Sequence, residues 1–221
     1  MTQQDMGTLI SSWLDDTGQT YFTTTQIYTW INLAQRQVQM ELIQAGQNWY
    51  QIPVETTTVY GQSDYVLPSD FLVLHRLEII TQGTGVNETR VPVTQMTTNS
   101  QDMVSIGLGI PTNFYIKKDR ITLSPTPNAA YTMRMYYSYR VADLVASAAS
   151  TNVPDVPEQF MEYCAILAAF DGFIKDDRAP ENLLQKKVKY EDMLKRMATD
   201  RLQDRSRMII PSGDYETGSI Y

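Results

Sequence analysis

The chain has 221 residues, of which 43% are apolar and 19% are charged, and its formal net charge is −7. This composition is that of a soluble globular protein and excludes a disordered chain, and no run approaches the roughly 18 consecutive apolar residues that a membrane helix needs. The single cysteine, Cys164, excludes an intramolecular disulfide, and one Cys with one His cannot build a structural zinc site.

The charge is unevenly distributed along the chain. Residues 175–207 contain 10 of the 18 Lys and Arg and 7 of the 25 Asp and Glu, a net of +3, so the remainder carries a net of −10. An acidic chain does not favour tight, sequence-reading contact with duplex DNA, because that affinity comes mainly from cations on phosphates. The first ten residues lack the basic start and long apolar middle of a signal peptide, so we expect folding in a reducing cytoplasm.

Two helices are predicted in residues 1–47. Apolar residues at spacings of three and four begin at Met6 and stop at the turn-forming run 15–18. A second helix follows residues 23–25, whose threonine hydroxyls can cap it, and Gly46 is its predicted C-terminal stop.

The apolar period changes to two between residues 48 and 145, which predicts a β-rich module. A strand around Val54 followed by turn-forming residues 61–64 indicates a hairpin. Further strands are predicted at 72–80, 114–118, 120–123 and 131–141. The stretch 95–106 is ambiguous between a short helix and a loop.

Helical periodicity returns in residues 153–207. Pro157 suits the first turn of a helix whose apolar stripe extends from Phe160 to Ile174. A second, highly charged helix is predicted over 181–206, and at about 1.5 Å per residue it would span roughly 40 Å, more than a typical globular helix. Residues 208–221 have no helical period but are too apolar for a purely solvating tail, which indicates an ordered partner.

The predicted fold class is therefore α+β. The N-terminal helices 1–47 and the C-terminal helices 153–207 are expected to form one helical bundle. An antiparallel β-module of sandwich or barrel-like form, residues 48–145, is inserted between them, and 208–221 is an extended tail.

No catalytic residues, metal site or cofactor are predicted. His75, the only histidine, lies in an extended apolar run, and Cys164 lies on an apolar helix, where a small core residue is the usual interpretation. Adjacent carboxylates such as Asp176 and Asp177 are at a helix end, where solvated charge is the ordinary state. The chain lacks a glycine-rich phosphate loop.

Four short motifs follow the N-terminal helices in a fixed order. They are LPSDF at 67–71, P-x-x-F at 111–114, L-x-P-x-P at 123–127, and Val-Pro-Glu at 156–158 opening the long helices. Over most of the chain, this order and spacing resemble the head-to-tail adaptor (connector or neck) proteins of tailed bacteriophages. Within that resemblance, LPSDF marks the entry to a strand, P-x-x-F marks the next strand, and L-x-P-x-P marks a hairpin corner.

The resemblance implies a structural virion protein of the neck, assembled in the host cytoplasm, and not an enzyme. Identical subunits, usually twelve, would form a ring beneath the portal protein. The ring would extend the DNA channel, through which DNA passes without sequence-specific binding, and would receive the tail nozzle or tail hub protein. No membrane is involved.

Two sets of contact residues are expected from this resemblance. The C-terminal segments of such adaptors commonly reach portal clefts, and the long helices pack between neighbours. The expected portal-binding residues are Ile209, Ile210, Pro211, Tyr215, Ile220 and Tyr221. The expected subunit-interface residues are Leu184, Val188, Lys189, Met193, Arg196 and Met197.

Three other functions are compatible with the sequence. A tail-tube or neck-completion protein would share the β-rich middle but has less need of long helices. A small virion-associated hydrolase would need converging carboxylates, or His75 with a nucleophile, and alanine at His75, Glu158 or Glu162 would test it. An α+β binding module of another kind is the third.

Overall fold

The computed structural model describes residues 1–18, 20–83, 85–96, 107–145, 152–178 and 180–206, without the side chains of 86 and 200–206. Within these residues there are four α-helices: α1 Gln3–Trp13, α2 Thr24–Gln44, α3 Met161–Lys175 and α4 Glu181–Ser206. A 3₁₀ turn, Glu158–Phe160, leads directly into α3. None of these helices is both long enough and apolar enough to cross a bilayer.

The first two helices begin at capping boxes. The side chain of Thr2 accepts from the backbone of Asp5, whose carboxylate accepts from the backbone of Thr2 in return. Thr23 and Gln26 make the same exchange ahead of α2, which confirms the predicted threonine cap. Gly46 follows the end of α2 with φ of 73°, a left-handed conformation that costs glycine little, so the predicted stop is also confirmed.

The nine described strands follow the helices in chain order. Their bounds are β1 Gln51–Thr57, β2 Asp64–Val66, β3 Phe71–Gln82, β4 Thr89–Gln95, β5 Leu108–Gly109, β6 Asn113–Lys117, β7 Arg120–Ser124, β8 Thr126–Pro127 and β9 Thr132–Tyr139. Seven form one sheet in the order β1-β9-β3-β4-β6-β7-β2, and β5 pairs with β8. The seven-stranded sheet curls over one apolar core to which both of its ends contribute.

The register shows where the sequence prediction of the module was incomplete. The pairs β1 with β9 and β3 with β9 are antiparallel, as expected, but β4 with β6 and β5 with β8 are parallel. The predicted hairpin at 61–64 is wrong, because β1 pairs with β9 and β2 pairs with β7. The corner at 123–127 likewise joins two strands that pair with other partners, and most of the ambiguous stretch 95–106 lies outside the described residues.

Buried amides of α2 tie the β-module to the helices. Gln39 donates to the carbonyl of Tyr139 (2.6 Å) and accepts from the backbone of Val141 (3.3 Å). One turn earlier Gln35 donates to the carbonyl of Ala142 (2.9 Å). Because buried amides are stable only when their hydrogen bonds are made, these contacts fix the segment that leaves β9 against α2.

The helical core lies between α1, α2 and α3. Its fully buried members include Ile10, Ile31, Val38 and Ile166. Ile174, at the end of the predicted apolar stripe of α3, is instead 73% exposed. The architecture is thus a mixed α+β fold, as predicted, in which the core helices leave α4 on the outside.

Candidate interaction surface on the last helix

Helix α4 is lightly packed for its length. Its 26 residues span about 39 Å at 1.5 Å per residue, yet among its described side chains only Leu183 and Leu194 are buried. Leu184 and Val188, one turn apart, are 51% and 47% exposed. We call these two residues the α4 stripe.

A cluster centred on Glu162 holds the first half of α4 against α3. Lys186 Nζ lies 2.7 Å from the carboxylate of Glu162, and the hydroxyl of Tyr190 donates to the same carboxylate at 2.9 Å. The ring of Tyr190 stacks on that of Tyr163 with centroids 5.2 Å apart. The hydrogen bond from Lys186 is the main cause that lowers the pKa of Glu162. Burial raises the pKa of Tyr190 to about 12, and the hydrogen bond from its hydroxyl to Glu162 contributes to this rise.

A groove of about 830 Å³, which we call the α4 groove, runs along the helix beside this cluster. Its lining comes from the 3₁₀ turn, from the start of α3 and from three turns of α4. The lining residues are Gln159, Glu162, Gln185, Lys186, Val188, Lys189, Tyr190, Asp192, Met193 and Arg196. The lining therefore combines apolar side chains with three cations and two carboxylates, and the groove has the volume of a typical ligand-binding cleft.

The structure brings four of the six predicted subunit-interface residues together in the α4 groove. They are Val188, Lys189, Met193 and Arg196. Leu184 is exposed outside the groove, and Met197 is half-buried against the helical core. Gln159 and Glu162 were not predicted, because the sequence pattern of one helix does not show which other helix lies beside it.

A second apolar stripe lies on the outer face of α2. Leu33 and Met40 are 49% and 40% exposed, and their spacing of seven residues places them on one side of the helix. They lie opposite Ile31 and Val38, which are fully buried. We call Leu33 and Met40 the α2 stripe, so the helices present two unlike apolar surfaces to the outside.

Among the described side chains, no hydrogen bond or ion pair joins the residues considered for catalysis to one another. His75 Nε2 lies 2.7 Å from the hydroxyl of Ser138, but Ser138 is fully buried in the sheet, so this pair offers a substrate no access to the hydroxyl. Burial lowers the pKa of His75 and raises that of the Cys164 thiol to about 12, which disfavours a thiolate. Glu162 is bound by Lys186, and Glu158 is exposed.

Two further expectations concern a metal site and the C-terminal segment. Among the side chains that the structure describes, no three of His, Cys, Asp or Glu come together as a possible metal site. The predicted portal-binding residues Ile209, Ile210, Pro211, Tyr215, Ile220 and Tyr221 lie outside the described residues.

Comparison with known proteins gives one family. The model of the SU10 adaptor protein family matches residues 1–212, almost the whole chain. A search of curated proteins gives no match.

Proposed function

Because the chain belongs to the SU10 adaptor protein family, whose members are phage adaptor-type structural proteins, we propose that it is a head-to-tail adaptor of the virion. Copies of the chain form a ring, of twelve subunits in our proposal, beneath the portal protein. The ring continues the DNA channel and presents the attachment site for the tail nozzle or hub.

The observation that carries this proposal is the incomplete burial of α4. A helix that is polar or exposed around most of its circumference bridges to another partner, is stabilised by i,i+4 ion pairs such as Lys187–Glu191, or is unstable alone. The α4 stripe and the α4 groove leave apolar area of Leu184, Val188 and Met193 without a complete cover within one chain. A neighbouring subunit would provide that cover.

A ring also needs two different surfaces on each subunit. A head-to-tail contact joins unlike patches, and it closes into a ring when the rotation between copies allows it. The α2 stripe, Leu33 and Met40, and the α4 stripe, Leu184 and Val188, are two such patches on separate helices. We propose that the α2 stripe of one copy contacts the α4 side of the next.

The C-terminal segment is the proposed portal contact. Residues 208–221 combine six large apolar residues, Met208 among them, with Pro211 and two glycines. Ordering such a segment costs conformational entropy. Its binding is therefore favourable only where the partner has pockets that bury its apolar side chains. In our proposal Ile209, Ile210, Tyr215, Ile220 and Tyr221 enter clefts of the portal.

The acidic remainder of the chain suits a DNA channel. Outside residues 175–207 the net charge is −10, which repels a phosphate backbone. DNA would therefore pass along the ring without adhering to it. Reversing several exposed carboxylates of the channel wall to lysine should slow genome ejection.

Electron microscopy of this protein mixed with its cognate portal tests the proposal. We expect a symmetric collar of this chain on one end of the portal ring. Binding to a tail tube in place of the portal, or a monomer beside bare portal rings, would contradict it.

A further inference from the structure

The α4 groove contains two cations that form no ion pair with a described carboxylate, although Lys189 is close enough to Glu162 to help lower the pKa of that carboxyl. Glu162 in the groove is bound by Lys186, and Asp192 lies 3.6 Å from Lys195. Lys189 and Arg196, both exposed, form no ion pair within the side chains that the structure describes. The groove therefore offers two available positive charges, about two helical turns apart, beside apolar atoms of Val188 and Met193.

The C-terminal segment has the complementary chemistry. Residues 208–221 contain no Lys or Arg and two acidic residues, Asp214 and Glu216, on either side of Tyr215. Large apolar residues lie before and after this acidic pair. A segment with net charge −2 and aromatic side chains is complementary in charge and polarity to a groove that presents cations beside apolar atoms.

The chain is long enough to bring the two together within one subunit. Helix α4 ends at Ser206, and Lys189 lies 17 residues before that end, about 26 Å back along the axis. The 15 residues after Ser206 can span up to about 50 Å when extended, at roughly 3.3 Å per residue. Pro211 and Gly213 provide residues suited to reversing the chain direction.

We propose that residues 208–221 bind in the α4 groove of their own subunit before assembly. Asp214 and Glu216 pair with Arg196 and Lys189, and Tyr215 packs against Met193. This binding within one subunit does not depend on the proposed function.

Cleavage after Tyr215 by chymotrypsin, measured on the full chain without portal, tests the proposal. Intact-mass spectrometry measures the rate at which residues 216–221 are lost. The cleavage rate of each variant is divided by the cleavage rate of a free 208–221 peptide that carries the same substitutions within that range. We expect the wild-type segment to be cleaved at least about tenfold more slowly than its peptide, because a protease needs an unbound strand. The charge reversal Lys189→Glu with Arg196→Glu should remove this protection.

A charge exchange and a matched control complete the test. Asp214→Lys with Glu216→Lys should also remove the protection. The variant that combines these two substitutions with Lys189→Glu and Arg196→Glu should regain it, because the opposite charges again face each other. Lys117→Glu with Lys118→Glu, at two exposed residues at the end of β6 and in the turn after it, should leave the protection unchanged.

Three results would overturn the proposal. They are a wild-type rate equal to that of the peptide, protection that survives the reversal, and protection that increases with chain concentration, which would place the segment on another copy. Since no portal is present, each of these results is independent of collar formation on the portal.

Discussion

Helices α3 and α4 are neighbours in the chain but bury very different shares of their surface. Ten of the 15 residues of α3 are buried, whereas Leu183 and Leu194 are the only buried members among the described side chains of α4. A helix that is apolar all round belongs in a core, whereas one that is polar on most sides can bridge to a partner or be stabilised by i,i+4 ion pairs such as Lys187–Glu191. The contrast makes α3 the larger contributor to stability and leaves α4 as the proposed assembly surface.

The largest expected effect separates the two helices by their contribution to stability. Ile166→Ala in α3 should lower the free energy of unfolding by about 2–5 kcal/mol, because it leaves a cavity at a fully buried position. Leu184→Ala in α4 should change it by less than about 0.5 kcal/mol, because that side chain is 51% exposed. Urea unfolding followed by circular dichroism measures both, and equal losses would remove the distinction.

A smaller effect is expected at the contact that holds α4 on α3. Glu162→Ala removes the acceptor of both Lys186 and Tyr190, and it should cost about 1 kcal/mol because the carboxylate is partly exposed. Hydrogen exchange should accelerate in α4 and not in α3. Glu158→Ala, at an exposed position four residues earlier, is the matched control and should alter neither quantity. Faster exchange in both helices would show that they unfold as one unit.

The smallest effect is the acid dependence of this same contact. The folded state lowers the pKa of Glu162 below its usual value of 4.5, mainly through the bond from Lys186, so its stabilising effect is complete above that value. It is lost as the pH falls through the lowered pKa. The difference in urea midpoint between wild type and Glu162→Gln should therefore be present at pH 7 and shrink toward pH 3. A difference that grows on acidification would contradict the assigned role of the charge.

Helix positions were predictable from the sequence because periodicity and capping are local. The 26 residues of α4 were predicted at their observed positions, and the start of α2 was predicted to within the threonine run 23–25. Strand β4 was missed because Pro92 lies within it, and proline normally argues against a strand interior. Strand partners were not predictable, since the pairing of β1 with β9 joins residues about 80 positions apart.

Only the part of the candidate surface that α4 contributes was predictable from the sequence. Val188, Lys189, Met193 and Arg196 share a face of α4, and helical spacing reveals that face. Glu162 closes the groove from α3, and no pattern within α4 indicates a partner on another helix. The domain limits at 47, 145 and 207 and the role of residues 208–221 stay predictions.

The central claim is that the outer side of α4 is an assembly surface, and the variant Leu184→Glu with Val188→Glu tests it most directly. Both side chains are about half exposed, so the variant should fold with an unfolding free energy close to that of wild type. Mixed with the cognate portal and viewed by electron microscopy, wild type should form a symmetric collar and the variant should form none. A complete collar of the variant would contradict the account.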